Sequence, residues 1–399
     1  MPTTLSADII EGLDVVRGPI VDRGGEVLNV RHPDFGAAGD GRMVSDGNVT
    51  QGSAVVTSAT AAWTAADVGK PISVTIRPTD SADKLLATTI QAVNSATQIT
   101  LAAAMTATST QADLVWGTDD TAAIQQAIDA ASAAGGGTVF IPPLDDPDRF
   151  YLVKRAGSPA WALRMKSHVR LTGHRYGSRI KLLGAQTNYT RIISMTGETQ
   201  VEIDHLTLDG SHPQQNKVPG LTVPYEHLHG ISLYKSTSPE VGCSEITLHD
   251  LDVIDCRGDG ISVSQLAEMV RVERCLIRGH GRCGVAGSTT QGLSIIDNDI
   301  RDSAAGIHWE PDQSVDVWGS LITHNRIQDC GGSIDVSAHA GATCSSPSSP
   351  STRCAAAAPA FAPRTAPTPS WRSTRCATSP AGRGSTSMAT AGVRGWWGT

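Results

Sequence analysis

The sequence predicts an all-β chain wound as a solenoid, and three observations carry that expectation. A short strand recurs as Gly230-Ile231-Ser232-Leu233, Gly260-Ile261-Ser262-Val263, Gly284-Val285-Ala286-Gly287, Gly306-Ile307-His308-Trp309 and Ser333-Ile334-Asp335-Val336. Before each of the last four, an apolar residue falls six or seven positions earlier: Val253, Ile277, Ile300 and Ile327. Gly, Asn and Asp cluster between the strands, as corners require. A repeat of roughly 20 to 30 residues built from short strands marks a β-solenoid. An antiparallel sandwich has no reason to keep Gly-Ile in register over five units.

In chain order, residues 1–27 form an N-terminal segment, followed by the glycine-rich cluster Asp34-Phe35-Gly36-Ala37-Ala38-Gly39-Asp40-Gly41. Residues 45–116 read as Thr/Val/Ala-rich strands, such as Ser73-Val74-Thr75-Ile76, and are expected to be an inserted small β domain. Ile124, Ala127, Ile128 and Ala131 follow the i, i+3, i+4, i+7 rule, so residues 119–134 are expected to be an amphipathic helix. Acids stand at its start and Gly135-Gly136-Gly137 at its end. Thr138-Val139-Phe140-Ile141-Pro142-Pro143 follows as a buried strand closed by proline. The solenoid is expected to run to residue 337.

Residues 338–399 differ in kind. They hold six of the 32 basic side chains and no Lys, Asp, Glu, Asn, Gln, Tyr, Ile or Leu. Such a segment has little to bury against the entropy of ordering. It reads either as a disordered Pro/Ala linker or as an out-of-frame translation. The first 337 residues keep 26 basic against 39 acidic side chains, a net charge of −13, which repels nucleic acid. No apolar run approaches the ~18 residues of a membrane span, and Met1-Pro2-Thr3-Thr4-Leu5 lacks the order of a secretory signal. The eight cysteines form no CxxC pair, so neither zinc nor a disulfide framework is assigned.

The glycine-rich cluster, the segment Asp119-Asp120-Thr121-Ala122-Ala123-Ile124-Gln125-Gln126-Ala127-Ile128 and the run Gly135 to Pro143 together resemble the entry signature of the pectate lyase superfamily. More narrowly, they resemble its rhamnogalacturonase/epimerase-like β-helix proteins, a group that includes phage tailspike domains. The resemblance covers roughly residues 28–337. It implies a right-handed parallel β-helix, capped at its N-terminal end by the helix at 119–134, that acts on or binds polysaccharide, outside the cell or on a virion. A tailspike-like member is expected to be a homotrimer.

In a parallel solenoid, equivalent residues of adjacent coils stack at ~4.8 Å. Aligning the Gly-Ile strands puts His229, Asp259, Cys283 and Ala305 in one column. Aligning the preceding apolar residues gives a column of Asp255, Gly279, Asp302 and Asp329, and another of Cys256, His280, Ser303 and Cys330. Arg282 lies at the corner of Asp259, one coil on. Asp255, Asp259, His280, Arg282 and Asp302 are therefore expected to share a patch and to carry catalysis.

Hydrolysis needs two carboxyl groups, one to protonate the leaving oxygen and one as base or nucleophile. Asp255 and Asp302, two coils apart, stack at about 9.6 Å, which suits inversion. Elimination from a uronate needs a base and a cation, roles open to His280 and Arg282. Against this, Asp at solenoid corners often serves only the turn.

His229, His308, Glu310 and Tyr234 are the substrate-binding candidates. Alternation sends His308 and Glu310 outward and Trp309 into the core. Residues 211–229 read as a loop walling the groove. His227 and His229 find no third metal ligand and are expected to be a surface pair. The acidic corners can attract calcium, but no loop supplies its ligand count, so no cofactor is assigned. The expected activity is cleavage of an acidic polysaccharide by a hydrolase or lyase. The competing expectation is a glycan-binding adhesin without turnover.

Overall fold

A computed structural model describes residues 27–77, 84–155, 161–186, 190–211, 227–310, 319–336, 344–346 and 349–352. The expected N-terminal segment, the loop at 212–226 and most of the 338–399 tail lie outside the described residues. Within that tail only Cys344–Ser346 and Ser349–Thr352 are described, as an antiparallel pair.

The solenoid has three parallel sheets. The first holds eight strands, from Val27–Asn29 and Gly137–Phe140 to Leu321–Thr323. The second holds seven, from Tyr151–Val153 to Arg326–Gln328. The third also holds seven, from Trp161–Arg164 to Ile334–Val336. The chain visits first, second and third sheet in turn, which makes a right-handed parallel β-helix of seven full coils among the described residues. Ile231, Ile261, Val285, Ile307 and Ile334 pair in one register. Val253, Ile277, Ile300 and Ile327 pair in another. The two repeat alignments made from sequence are thus the physical stacking of the coils.

Close packing explains the glycines of the repeat. A Cβ on Gly284 would lie 2.5 Å from Ile300 Cγ2 and 2.8 Å from the Gly306 carbonyl oxygen. The second-sheet isoleucines fill the space a side chain would need, so the Gly and the apolar residue before it form one packing unit. Val253, Ile277, Ile300 and Ile307 are wholly buried in the resulting core.

The corners are equally regular. Asp255, Gly279, Asp302 and Asp329, each just after a second-sheet strand, all have φ between 49° and 77°. His205, Asp250, Arg274, Asp297 and His324 repeat the left-handed conformation after the first-sheet strands. Asp tolerates that region better than most L-residues, so the aspartate column marks a turn. Inside the corners, polar ladders satisfy the backbone: the Cys275 N–H donates to Asn298 Oδ1 at 2.9 Å, and the Asn298 N–H to Asn325 Oδ1 at 3.0 Å.

Between the first strand and the first coil, residues 42–116 form a closed antiparallel barrel of six strands. Its core is built on Trp63, Ile72, Leu114 and Trp116. The chain enters and leaves it at one neck, where a Cβ on Gly117 would sit 2.5 Å from Gly41 Cα. Helix α1 (Thr121–Ala133) buries Ile124, Ala127, Ile128 and Ala131 against the first coil.

The acids before α1 do a different job from the dipole role expected of them. Asp120 reaches back to accept the N–H groups of Ala38 (2.6 Å) and Gly39 (3.1 Å). Burial pushes its pKa up to about 7, against the pull of those donors. Asp40 answers from the other side, accepting from Thr118 N–H at 2.7 Å and Lys70 Nζ at 2.7 Å. The two halves of the entry signature therefore clamp each other across the barrel insertion. No helix among the described residues is long and apolar enough to cross a membrane.

Candidate functional site

The structure divides the patch expected from sequence into three layers. Asp255 and Asp302 stand on the left-handed corner, Asp302 exposed and Asp255 half-buried. The Asp255 carboxylate lies over Gly279, where an added Cβ would meet its Oδ1 at 2.2 Å. Burial and the nearby Asp209 raise the Asp255 pKa. His280 belongs to the inner column: its Nδ1 accepts the Cys256 N–H at 3.2 Å and its own N–H meets Ser303 Oγ at 3.4 Å. It is 3% exposed, which makes its ring part of a buried ladder. The reason for the division is one residue of phase, because adjacent positions at a corner point to opposite sides of the wall.

What the fold does bring together is a cluster on the outer rim of the third sheet. His229, Asp259 and Cys283 stack in successive coils, one residue before the repeat glycines. The Asp259 N–H donates to His229 Nδ1 at 2.9 Å, and Asp259 Oδ1 accepts the Cys283 N–H at 3.0 Å. Since Nδ1 accepts, neutral His229 carries its proton on Nε2. Arg282 Nη1 lies 3.5 Å from Asp259 Oδ2. Burial raises the Asp259 pKa, and Arg282 opposes it.

His227 meets His229 edge-on, with ring centroids 5.5 Å apart. Of the expected surface pair, His229 is buried at 1% exposure and His227 is half-buried. Burial, helped by Arg282 and Arg191, lowers the His227 pKa to about 4. His229 is pushed well below its ordinary value for the same first reason. Both imidazoles are neutral at neutral pH. Arg191, two residues before Ile193 in the preceding coil, donates to the Tyr234 hydroxyl at 3.1 Å, with its guanidinium 5.0 Å from the ring centroid.

Of the sequence candidates, His229, Asp259 and Arg282 thus meet, with His280 packed beside them against Gly260, and Tyr234 is tied in through Arg191. Arg191 and His227 join them. Arg191 precedes the first Gly-Ile repeat, and extending the register one coil back was the signal that could have found it. His308 and Glu310 lie in the coil after Arg282, two coil steps or about 9.6 Å beyond Asp259. His308 faces Asp335 at 3.8 Å. Trp309 packs against the core, as alternation requires.

A second polar group escaped sequence reading because it needs the first sheet's register. Glu202, Asp204 and His249 present ligand atoms within 4.8 Å of one another. Arg170 already engages both Asp204 oxygens, at 2.7 and 3.0 Å, and lies 3.2 Å from Glu202. Thr172 and His205 also bond Asp204. A guanidinium thus stands where a cation would, and the group reads as a buried ion-pair network. Cys243, Cys256, Cys275, Cys283 and Cys330 are free thiols.

Residues 191–349 match the family model described as a right handed beta helix region. Mannuronan C5-epimerase AlgE6 of Azotobacter vinelandii is 42% identical over 109 residues, 26% of this chain and 12% of that protein. Alginate lyase 7 of the same organism is 36% identical over 142 residues, 34% of this chain and 16% of that protein. The chain thus spans under a fifth of these curated relatives. Among solved structures, the A-module of AlgE6 aligns at 24% identity with a TM-score of 0.45, covering 54% of each chain. A tailspike protein of E. coli bacteriophage HK620, in complex with pentasaccharide, aligns at 12% identity and a TM-score of 0.39, covering 55% of this chain and 43% of that one.

Proposed function

We propose that this chain is a carbohydrate-active β-helix acting on a polyuronate, outside the cell or on a virion, by removing the proton beside the sugar carboxylate. The observation that carries the reading is two guanidinium groups, Arg191 on the Tyr234 hydroxyl and Arg282 on Asp259, both near enough to act on the neutral imidazole of His227. Proton abstraction at C5 leaves negative charge on the carboxylate, which fixed cations stabilise. A neutral imidazole accepts the proton. The Tyr234 hydroxyl, held by Arg191, then returns one. Delivered to the glycosidic oxygen, that proton completes elimination and leaves an unsaturated ring. Delivered to the opposite face of C5, it inverts that carbon without breaking the chain.

Asp259 positions His229 and Arg282 and is too buried to touch a sugar. Hydrolysis draws less support, because it needs two carboxyl groups astride the bond and Asp259 is the one carboxylate of the cluster among the described residues. The names of the curated relatives, a mannuronan epimerase and an alginate lyase, agree with polyuronate chemistry.

Mannuronan incubated with the protein in D2O is the test. The expected result is either deuterium at C5 of intact chains, from reprotonation, or unsaturated ends absorbing in the ultraviolet, from elimination, which leaves C5 without a hydrogen to label. Reducing ends without unsaturation or deuterium would replace this reading with hydrolysis. The 1% exposure of His229 and Asp259 favours one alternative, a glycan-binding adhesin; glycan binding by a trimer with no turnover would establish it.

A further inference from the structure

We propose that the cleft beside Trp161 is a second sugar subsite, holding a uronate ring of the same chain whose reacting ring lies at His227 and Tyr234. This rests on the polyuronate reading above and extends it along the molecule.

The cleft has a volume of about 360 Å³ and lies outside the first coil, between the strand Trp161–Arg164 and the α1 side chains Thr121, Gln125 and Asp129. Its floor is fixed. Gln125 Nε2 donates to the Arg164 carbonyl at 3.0 Å, and the Arg164 N–H donates back to Gln125 Oε1 at 2.8 Å. Helix and strand are thereby locked, and a preformed cleft spares a ligand the cost of ordering it.

Trp161 is half-exposed at this cleft. Trp63 and Trp116 are buried in the barrel and Trp309 packs against the solenoid core. A pyranose ring stacks on such a face through its C–H groups, as apolar surface meets an aromatic ring. The Arg164 guanidinium lies 5.7 Å from the indole centroid and 3.6 Å from Glu198 Oε1, and its buried Nε has no hydrogen-bond partner among the described residues. Lys166, with the Arg164 charge that Glu198 shares, offers positive charge to a carboxylate, while Asp119 and Asp129 offer acceptors to hydroxyls.

Position ties the cleft to the outer cluster. Trp161 pairs in register with Arg191, and His229 follows one coil further on. Two coil steps are about 9.6 Å, so a glycan laid along the third sheet crosses both places. The Trp161–Arg164 pair also repeats, one end of the groove to the other, the Tyr234–Arg191 pairing of aromatic ring and guanidinium.

Oligomannuronates of two to eight rings, titrated by calorimetry and indole fluorescence, test the idea. The expected result is tighter binding as length grows past the outer cluster. Trp161→Ala is expected to weaken the longest oligomers about tenfold, the size of one lost ring stack, and to leave dimers unaffected. Trp161→Phe should retain most of the affinity, and Arg164→Gln should weaken uronate oligomers while sparing carboxyl-reduced ones. Circular dichroism confirms folding, and the Phe variant serves if Ala does not fold. Wild-type binding with no length dependence, or equal binding by Trp161→Ala, overturns the subsite and leaves the proposed function standing. No binding of any oligomannuronate by wild type overturns both.

Discussion

The half-buried imidazole of His227 feels the charges of Arg282 and Arg191, and its pKa of about 4 sets the pH response. If it is the base, kcat/KM on mannuronan rises with pH through about 4 and is level above it; an acid limb centred near the ordinary histidine value would remove His227 from the role. Stability follows the same sign. The unfolded chain binds a proton near the ordinary 6.5 and the folded chain only near 4, so stability is lost as pH falls through that window. Urea midpoints at pH 7 and 4.5 should differ less in His227→Gln than in wild type. Asp209 gives a second test. It is 1% exposed and pairs with Lys181 at 3.0 Å and with Arg179. Burial opposes its charge, but those two cations outweigh burial and hold its pKa low. Asp209→Ala leaves a buried ammonium without its acid and should cost about 3 kcal/mol by urea unfolding.

At the level of the strand and its turn, the repeat is a packing unit whose glycine and isoleucine are inseparable. Gly284→Ala forces a methyl to within 2.5 Å of Ile300 Cγ2 and should destabilise by about 2 kcal/mol. Gly332 has nothing within 4 Å of an added Cβ, so Gly332→Ala should stay within about 0.5 kcal/mol of wild type. Equal effects on the two denaturation midpoints would show that the repeat glycines serve something other than coil packing. The same logic explains the corners. Acids recur at 255, 302 and 329 because the chain turns through a left-handed residue there, and the stacking that puts them in a column does not make them a catalytic set.

For the whole molecule, the barrel is an insertion into a solenoid that continues on both sides of it. Val27–Asn29 already pairs with Gly137–Phe140 across the intervening chain. Entry and exit touch at Gly41 and Gly117. Replacing residues 42–116 by a short linker should therefore leave the β-helix folded. It should also lower the melting temperature, because Val115 and Met43 leave the cluster that covers Phe150, Leu152 and Leu183. Loss of the far-UV β signal in the excised chain would show that the solenoid depends on the barrel to form.

The sequence by itself determined the winding. Short strands with Gly-Ile in phase admit one stacking, and the registers of Ile261 with Val285 and of Val253 with Ile277 follow from period alone. The alternation of His308, Trp309 and Glu310 was equally legible. Only the tertiary structure decided which neighbours share a side of the wall. A corner rotates the chain through a left-handed residue, so Asp255 and Cys256, adjacent in sequence, end on opposite faces. The same rotation buries His229, Asp259 and His280 within the wall and leaves His227, Tyr234 and Arg282 partly exposed. Periodicity counts coils, but the direction of each side chain at a bend depends on φ, and a repeat spacing carries no record of that.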